Sequence, residues 1–125
     1  MQIRSRRLSR LRQILIQLKD QPGKLLPVFL EIHPMVKGGV YRHRRRCGKP
    51  SCRCARGKLH ESLVHSASIS GRARLQSIAE HHIEQLLLLT QRYQRFRADR
   101  AKFVKLYMRM LRSIDEIERL RTVKP

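Results

Sequence analysis

The residues whose types and spacing could do chemistry are three cysteines and a histidine in one short segment. Cys47, Cys52 and Cys54 lie within eight residues, and His60 follows six positions later, which gives the pattern C-x4-C-x-C-x5-H. Thiolates and an imidazole nitrogen are the donors that tetrahedral zinc prefers. Four protein donors fill its coordination shell, so the pattern predicts one structural zinc ion rather than a catalytic one.

The same segment leaves other states of these side chains open. Three reduced thiols without a metal would fit the composition, whereas an odd cysteine count and no sign of secretion argue against a disulfide. The fourth ligand is less secure than the cysteines, because His43 and His65 compete with His60. Glu61 is the only carboxylate close enough in sequence to act as a general base, and no nucleophile or phosphate-binding motif accompanies it. We therefore expect that the protein is not an enzyme.

Charge is the second strong signal. The chain of 125 residues carries 29 Lys and Arg against 9 Asp and Glu, a formal net charge of +20. A small domain with this charge requires a polyanion or an acidic partner, and nucleic acid, either DNA or RNA, is the expected one. No apolar run is long enough to span a bilayer and no signal peptide is recognisable, so we expect a cytoplasmic protein without a membrane partner.

The positive charge is concentrated around the cysteines. Residues 1–79 carry 18 basic and 3 acidic side chains, and the segment 42–58 contains eight basic side chains and no acidic one. A zinc-stabilised loop of this composition would present its cations to phosphates at fixed curvature, with less chain entropy lost on binding. The predicted nucleic-acid-binding residues are Arg42, Arg44, Arg45, Arg46, Lys49, Arg53, Arg56 and Lys58.

The elements that must position this loop can be read from hydrophobic spacing. Leucines at three- and four-residue steps predict a helix over 2–19, ended by Pro22-Gly23. The apolar run 25–32 fits either a short helix or an irregular segment. Val40–Arg44, Ser62–Ser70 and Arg72–Ile78 are predicted strands of a small antiparallel sheet, with a turn at Ser70-Gly71.

Residues 79–123 contain neither Gly nor Pro, which predicts helix throughout. The interruption at 98–100 permits a helical hairpin, but the pattern slightly favours one long helix, which would need a partner along its length and suggests a coiled-coil homodimer. The apolar positions expected to share one face of that helix are Ile83, Leu86, Leu89, Tyr93, Phe96, Phe103, Tyr107, Met110, Ile114 and Ile117.

These elements predict an α+β fold: an N-terminal helix, a small antiparallel β-sheet with a zinc-pinned loop, and a long C-terminal helix or helical hairpin. Three regions follow from the composition. Residues 1–37 form the N-terminal helix and connector, residues 38–78 the zinc-loop and β-hairpin module, and residues 79–125 the C-terminal coiled-coil-like region.

The segment 46–60 resembles an uncharacterised family of short bacterial proteins. Members of that family carry R-C-G-K-P-x-C-x-C-A-x-G-x-x-H-G-P-Y before a strand pair and a helix, and the resemblance covers about residues 38–110. It implies that Cys47, Cys52, Cys54 and His60 take the metal-ligand positions. Glu61-Ser62-Leu63 replaces Gly-Pro-Tyr, so an aromatic side chain that could stack on a base is missing here.

The sequence thus predicts a non-enzymatic nucleic-acid-binding protein whose zinc-stabilised basic loop contacts the phosphate backbone of DNA or RNA. The alternative is a helical adaptor or accessory subunit. Such a subunit would form a homodimer, or bind a larger recombinase, transposase or ribonucleoprotein, through residues 79–121.

Overall fold

A computed structural model of the chain describes residues 2–125. It has the α+β arrangement that the sequence predicts. In chain order the elements are α1 (Gln2–Leu18), α2 (Gln21–Leu30), β1 (Gly39–Arg45), β2 (His60–Ile69), β3 (Arg72–Ser77) and α3 (Ile83–Arg121). Two short 3₁₀ helices, Arg53–Arg56 and Glu80–His82, lie before β2 and before α3.

The N-terminal region holds two helices. The predicted helix over 2–19 is present as α1, but Pro22 does not act as its terminator. Pro22 instead lies in the first turn of α2, where its missing N–H removes no intrahelical hydrogen bond. The apolar run after it is therefore helical rather than irregular, and the helix tolerates Pro27 in its interior.

The sheet has three antiparallel strands in the order β1-β2-β3. Tyr41 lies opposite Val64 on the central strand, and Val64 lies opposite Ser77 on β3. Val64 is the most buried residue of the sheet, at 3% exposure. The turn between β2 and β3 has Ser70 at φ 53° and Gly71 at φ 78°. Two successive positive φ values are typical of the turn that best matches the twist of a hairpin.

The long C-terminal helix is continuous. No break occurs at 98–100, so the hairpin alternative is excluded and α3 runs for 39 residues. Asp99 is accommodated within the helix, where the Lys102 Nζ lies 3.7 Å from its carboxylate one turn later. No helix between residues 2 and 125 is long and apolar enough to cross a membrane.

The chain divides into two compact units, and α3 contributes to both. The helical unit comprises the residues before His33 together with Phe96–Pro125, and the sheet unit comprises His33–Arg95. In the sheet unit, the connector before β1 is tied to the first part of α3. The Val36 amide donates a hydrogen bond to the Leu89 carbonyl (3.1 Å), and Gln94 Nε2 donates one to the Gly38 carbonyl (3.3 Å).

In the helical unit, α1 and α2 pack against the second part of α3. The ring of Phe29 meets those of Phe96 and Phe103 edge to face, at centroid distances of 5.1 and 5.8 Å. Towards the other end of α3, Arg7 makes a bidentate ion pair with Glu116, in which Nε and Nη2 lie 2.8 and 2.9 Å from the two carboxylate oxygens. Leu11 and Leu18 of α1 are buried at 3% exposure each, which makes them the centre of this small core.

Part of the apolar surface of α3 is left uncovered by these contacts. Five side chains in the helical unit, which we call the α3 stripe, are between 40 and 56% exposed. The single apolar face expected from the sequence is therefore divided, because Phe103, Met110 and Ile117 are only partly exposed whereas Tyr107 and Ile114 are open to solvent. The stripe consists of Val104, Tyr107, Met108, Leu111 and Ile114.

Candidate metal site and the basic surface around it

The candidate site occupies the loop that joins β1 to β2. The register of the two strands pairs Arg45, the last residue of β1, with His60, the first residue of β2. Cys47 follows two residues after Arg45, so the end of the hairpin brings Cys47 and His60 to the same place. Strand pairing, rather than the loop alone, therefore closes the segment 46–59.

Within the loop, two turns bring the other cysteines back towards Cys47. The Cys52 amide donates a hydrogen bond to the Lys49 carbonyl at 3.1 Å, and the 3₁₀ helix Arg53–Arg56 then carries Cys54. Gly57 ends that helix at φ 106°, a left-handed conformation that a residue with a Cβ adopts at a cost. Gly57 therefore lets the chain turn at the end of the 3₁₀ helix and lead into β2.

Four donor atoms converge inside this loop. The sulfur atoms of Cys47, Cys52 and Cys54 and a ring nitrogen of His60 all lie within 4.8 Å of one another. Cys47 Sγ is 3.4 Å from Cys54 Sγ, and Cys52 Sγ is 3.1 Å from His60 Nε2. In a tetrahedral site with bonds of ordinary length, sulfur atoms would be about 3.8 Å apart and sulfur and nitrogen about 3.5 Å apart. The four side chains are close enough to bind one metal ion.

Burial and hydrogen bonding give the cysteines different acidities. The Lys49 amide, and then His60, Cys54 and Cys52, lower the pKa of Cys47 to about 6 by hydrogen bonding to its sulfur. Cys54 is buried at 1% exposure. The Cys47 amide lowers the pKa of Cys54, but burial and the neighbouring thiols outweigh it, so that this pKa is raised above its ordinary value. All three cysteines are free of disulfides.

The geometry also separates the three histidines that the sequence left as competing ligands. His60 belongs to the cluster, whereas His65 lies further along β2 and its Nε2 donates a hydrogen bond to the Lys37 carbonyl at 2.8 Å. His43 lies on β1 opposite Ser62, with its ring edge-on to Tyr41 at 6.5 Å. His60 is therefore the imidazole that this fold offers to a metal in the loop.

The basic residues singled out from the sequence surround the cluster on the surface. All of them are exposed, on the second half of β1 and around the loop. Among residues 2–125, Arg44 is the one of the eight with an ion pair, its Nε lying 2.9 Å from the carboxylate of Glu61 on the neighbouring strand. The other seven predicted basic residues have no ion pair among residues 2–125, and they are Arg42, Arg45, Arg46, Lys49, Arg53, Arg56 and Lys58.

Two further arginines extend this surface, and the sequence reasoning missed them. Arg72 lies opposite Ile69 and Arg74 opposite Ala67 on β2, while Arg42 lies opposite Leu63 on the other side of that strand. Because directly paired residues share a face and alternate residues return to it, Arg42, Arg44, Arg72 and Arg74 are on one face of the sheet. Alternation in β3 was visible in the sequence, but the register was not.

A comparison with known proteins supplies the family. The domain of unknown function DUF6788 matches residues 6–87, about two thirds of the chain. This confirms the resemblance to an uncharacterised family, while the motif and the bacterial membership stay predictions. The curated proteins and the solved structures contain no match to the chain. The matched segment takes in most of α1, all of α2, the whole sheet and the cysteine loop, and the chain belongs to the DUF6788 family.

Proposed function

We propose that this chain is a non-enzymatic nucleic-acid-binding protein in which a zinc ion fixes the basic loop 46–59 for contact with the phosphate backbone. One observation carries the proposal: eight exposed cations surround a four-donor cluster in a segment that contains no acid between residues 42 and 58. A cation cluster with a fixed shape binds a polyanion with less loss of chain entropy than a flexible one.

The donor set supports zinc as the metal. Three thiolates and one imidazole are soft and borderline ligands, and hard cations such as magnesium and calcium prefer oxygen. The donor separations of 3.1 and 3.4 Å need only a small adjustment to reach tetrahedral spacing. Four protein ligands leave no open position for a substrate, which fits a structural ion and not a catalytic one.

The arrangement of the arginines supports recognition of backbone rather than of bases. Arg44, Arg42, Arg74 and Arg72 lie opposite residues 61, 63, 67 and 69 of β2. At about 3.4 Å per residue, this row extends roughly 27 Å along the strand. Because β1 and β3 flank β2, the row crosses the sheet diagonally from the cysteine loop towards the β2–β3 turn. Arginines in such a row would contact successive phosphates of a nucleic-acid strand that runs past the cysteine loop.

The test is the salt dependence of binding to DNA and RNA oligonucleotides, measured by fluorescence anisotropy. If six to eight phosphates are neutralised on duplex DNA, the affinity should fall by about 10³–10⁵ between 50 and 200 mM salt. Sequencing of nucleic acid that co-purifies with the protein would choose between DNA and RNA. An affinity that hardly changes with salt would overturn the proposal.

A matched pair of variants locates the contact. The double variant Arg53→Gln/Arg56→Gln removes two loop cations, and Lys105→Gln/Arg109→Gln removes two exposed cations from α3. We expect the loop variant to reduce the slope of log affinity against log salt by about 1.8, and the α3 variant to leave it nearly unchanged. Arg72→Gln/Arg74→Gln should reduce the slope like the loop variant. Equal losses in all three variants would indicate attraction by net charge alone.

The zinc assignment has a separate test. Protein purified without added zinc should contain close to one equivalent by metal analysis, and Cys52→Ser and Cys54→Ser should lose it. Ser51→Ala, an exposed substitution in the same loop, serves as the matched control and should keep the metal. A wild-type protein that contains no zinc and takes up none when it is supplied would contradict the assignment.

An accessory subunit is the second candidate function, and the α3 stripe favours it. Five neighbouring apolar side chains on one helix are each 40% exposed or more, and an exposed patch of this kind supports a role in binding another protein surface. In that case the basic loop would help to hold the nucleic acid of a larger recombinase, transposase or ribonucleoprotein. A protein that binds no nucleic acid at about 150 mM salt, but does assemble through α3, would support this second candidate.

A further inference from the structure

The second part of α3 has more apolar surface than the rest of its unit covers. Leu106 lines a groove together with Leu25 of α2, Ile117 lines one together with Leu8 of α1, and Ser113 on the same side of α3 is buried at 7% exposure. At 100° per residue, the α3 stripe is centred about 130° further round the helix. Its side chains therefore form a continuous solvent-facing strip beside the packed one.

Charges of opposite sign extend the α3 stripe at its two ends. Continuing the same face towards the N-terminus reaches Arg100 and Arg97, and continuing it towards the C-terminus reaches Asp115 and Glu118. All four are exposed. The face from 97 to 118 is thus basic at one end, apolar in the middle and acidic at the other.

These four charges have no ion-pair partner among residues 2–125. The remaining acids of this part of α3 are paired within the chain, Asp99 with Lys102 and Glu116 with Arg7 and Arg119. Asp115 and Glu118 are therefore the two acids of this part of α3 that have no ion pair, in a chain of net charge +20. Their position at the end of an apolar stripe is what a complementary basic surface would recognise.

We propose that the α3 stripe binds the same stripe of a second copy of this chain, with the two helices antiparallel. The two-fold axis passes between Tyr107 and Met108. Val104 then faces the partner's Leu111, and Ala101 faces the partner's Ile114. The same register places Arg100 against the partner's Asp115 and Arg97 against the partner's Glu118.

The charge pattern selects this orientation. In an antiparallel pair, every basic end meets an acidic end, and the symmetry repeats each ion pair twice. In a parallel pair in register, Arg100 would face the partner's Arg100 and Asp115 the partner's Asp115, which is repulsive at both ends. The contact covers 22 residues, about 33 Å of helix, and is isologous as expected for a closed dimer.

The test is the dimer dissociation constant of the full chain, freed of nucleic acid, measured by sedimentation equilibrium over a range of concentrations. We expect a concentration-dependent dimer. Arg100→Glu and Asp115→Arg should each weaken it by roughly tenfold, because each places like charges together at two symmetric positions. The double variant Arg100→Glu/Asp115→Arg should restore it, since the same pairs form with their signs exchanged.

A control and two contrary outcomes complete the test. Lys105→Glu makes the same charge change as Arg100→Glu on an exposed side of α3 outside the stripe, and it should leave the dimer unchanged. Leu111→Asp should abolish the dimer while circular dichroism shows the helices intact. A wild-type chain that stays monomeric at all concentrations would overturn the proposal and favour a different protein as the occupant. Single and double variants of equal affinity would refute the antiparallel register.

Discussion

Removal of the metal should release the loop, including its 3₁₀ helix, while the strands and the α-helices stay folded. The perturbation is a chelator, or the variant Cys52→Ser, and the segment concerned is 47–58. Its own hydrogen bonds are few. Four join backbone atoms outside helices and strands, with the amides of Cys52, Ala55, Gly57 and Lys58 as donors. Four more involve sulfur: the Cys47 amide to Cys54 Sγ, the Lys49 amide to Cys47 Sγ, and the contacts of Cys47 Sγ with Cys54 Sγ and of Cys52 Sγ with His60 Nε2.

The free energy of these hydrogen bonds is smaller than the entropic cost of ordering the loop. Ordering the twelve residues of the segment costs at least about 1 kcal/mol each in backbone entropy, or roughly 12 kcal/mol. The eight hydrogen bonds contribute at most about 1 kcal/mol each, or about 8 kcal/mol. The shortfall is at least roughly 4 kcal/mol, and a structural zinc site supplies about 10–16 kcal/mol at neutral pH. The loop should therefore be ordered with the metal and disordered without it.

Hydrogen exchange read by mass spectrometry checks this expectation. Without metal, the amides of Cys52, Ala55, Gly57 and Lys58 should exchange at nearly the rate of an unfolded peptide, whereas β2, β3 and α3 keep their protection. Ser51→Ala should behave as the wild type. Unchanged protection of the loop in protein that metal analysis shows to be empty would refute the reasoning.

Three further predictions concern the stability of the fold. The Arg7 guanidinium lowers the pKa of Glu116, so the pair stabilises the chain above the ordinary glutamate pKa, and this contribution is lost as the pH falls through the lowered value. Glu116→Gln should therefore reduce the loss of unfolding free energy at acidic pH, measured by urea denaturation at a series of pH values. Gly71→Ala should destabilise the chain by about 1 kcal/mol because of its positive φ, whereas Gly23→Ala, in α2 with open space around it, should stabilise it by about 0.5 kcal/mol. Val64→Ala should cost about 2 kcal/mol through lost burial, with the urea midpoint as the measurement and an unchanged midpoint as the contrary result.

The elements were largely predictable because their patterns are local. Leucine spacing gave α1, alternation gave the strands, and the absence of Gly and Pro after residue 79 gave α3. The exception is Pro22, which the sequence reasoning took as a helix stop. Proline is compatible with the first turn of a helix, and only the position of the next helix distinguishes the two roles.

The site was predictable in its donors and not in its surroundings. The cysteine spacing identified the loop, but choosing His60 over His43 and His65 needed the pairing of Arg45 with His60, which is a long-range fact. The face shared by Arg42 and Arg72 depends on the register of two strand pairs in the same way. The exposed α3 stripe could not be foreseen either, because the apolar pattern does not say how much of it α1 and α2 cover.

The continuity of α3 affects where a truncated fragment of this protein can end. The family match ends at residue 87, in the second turn of a helix that continues to Arg121. The rings that meet Phe29 and the carboxylate that meets Arg7 all lie beyond that point. A fragment cloned at the family boundary would keep the cysteine loop, yet it would leave the inner faces of its first two helices exposed to water. The segment that the family model matches is therefore shorter than the length of chain that we expect the helical unit to need for folding.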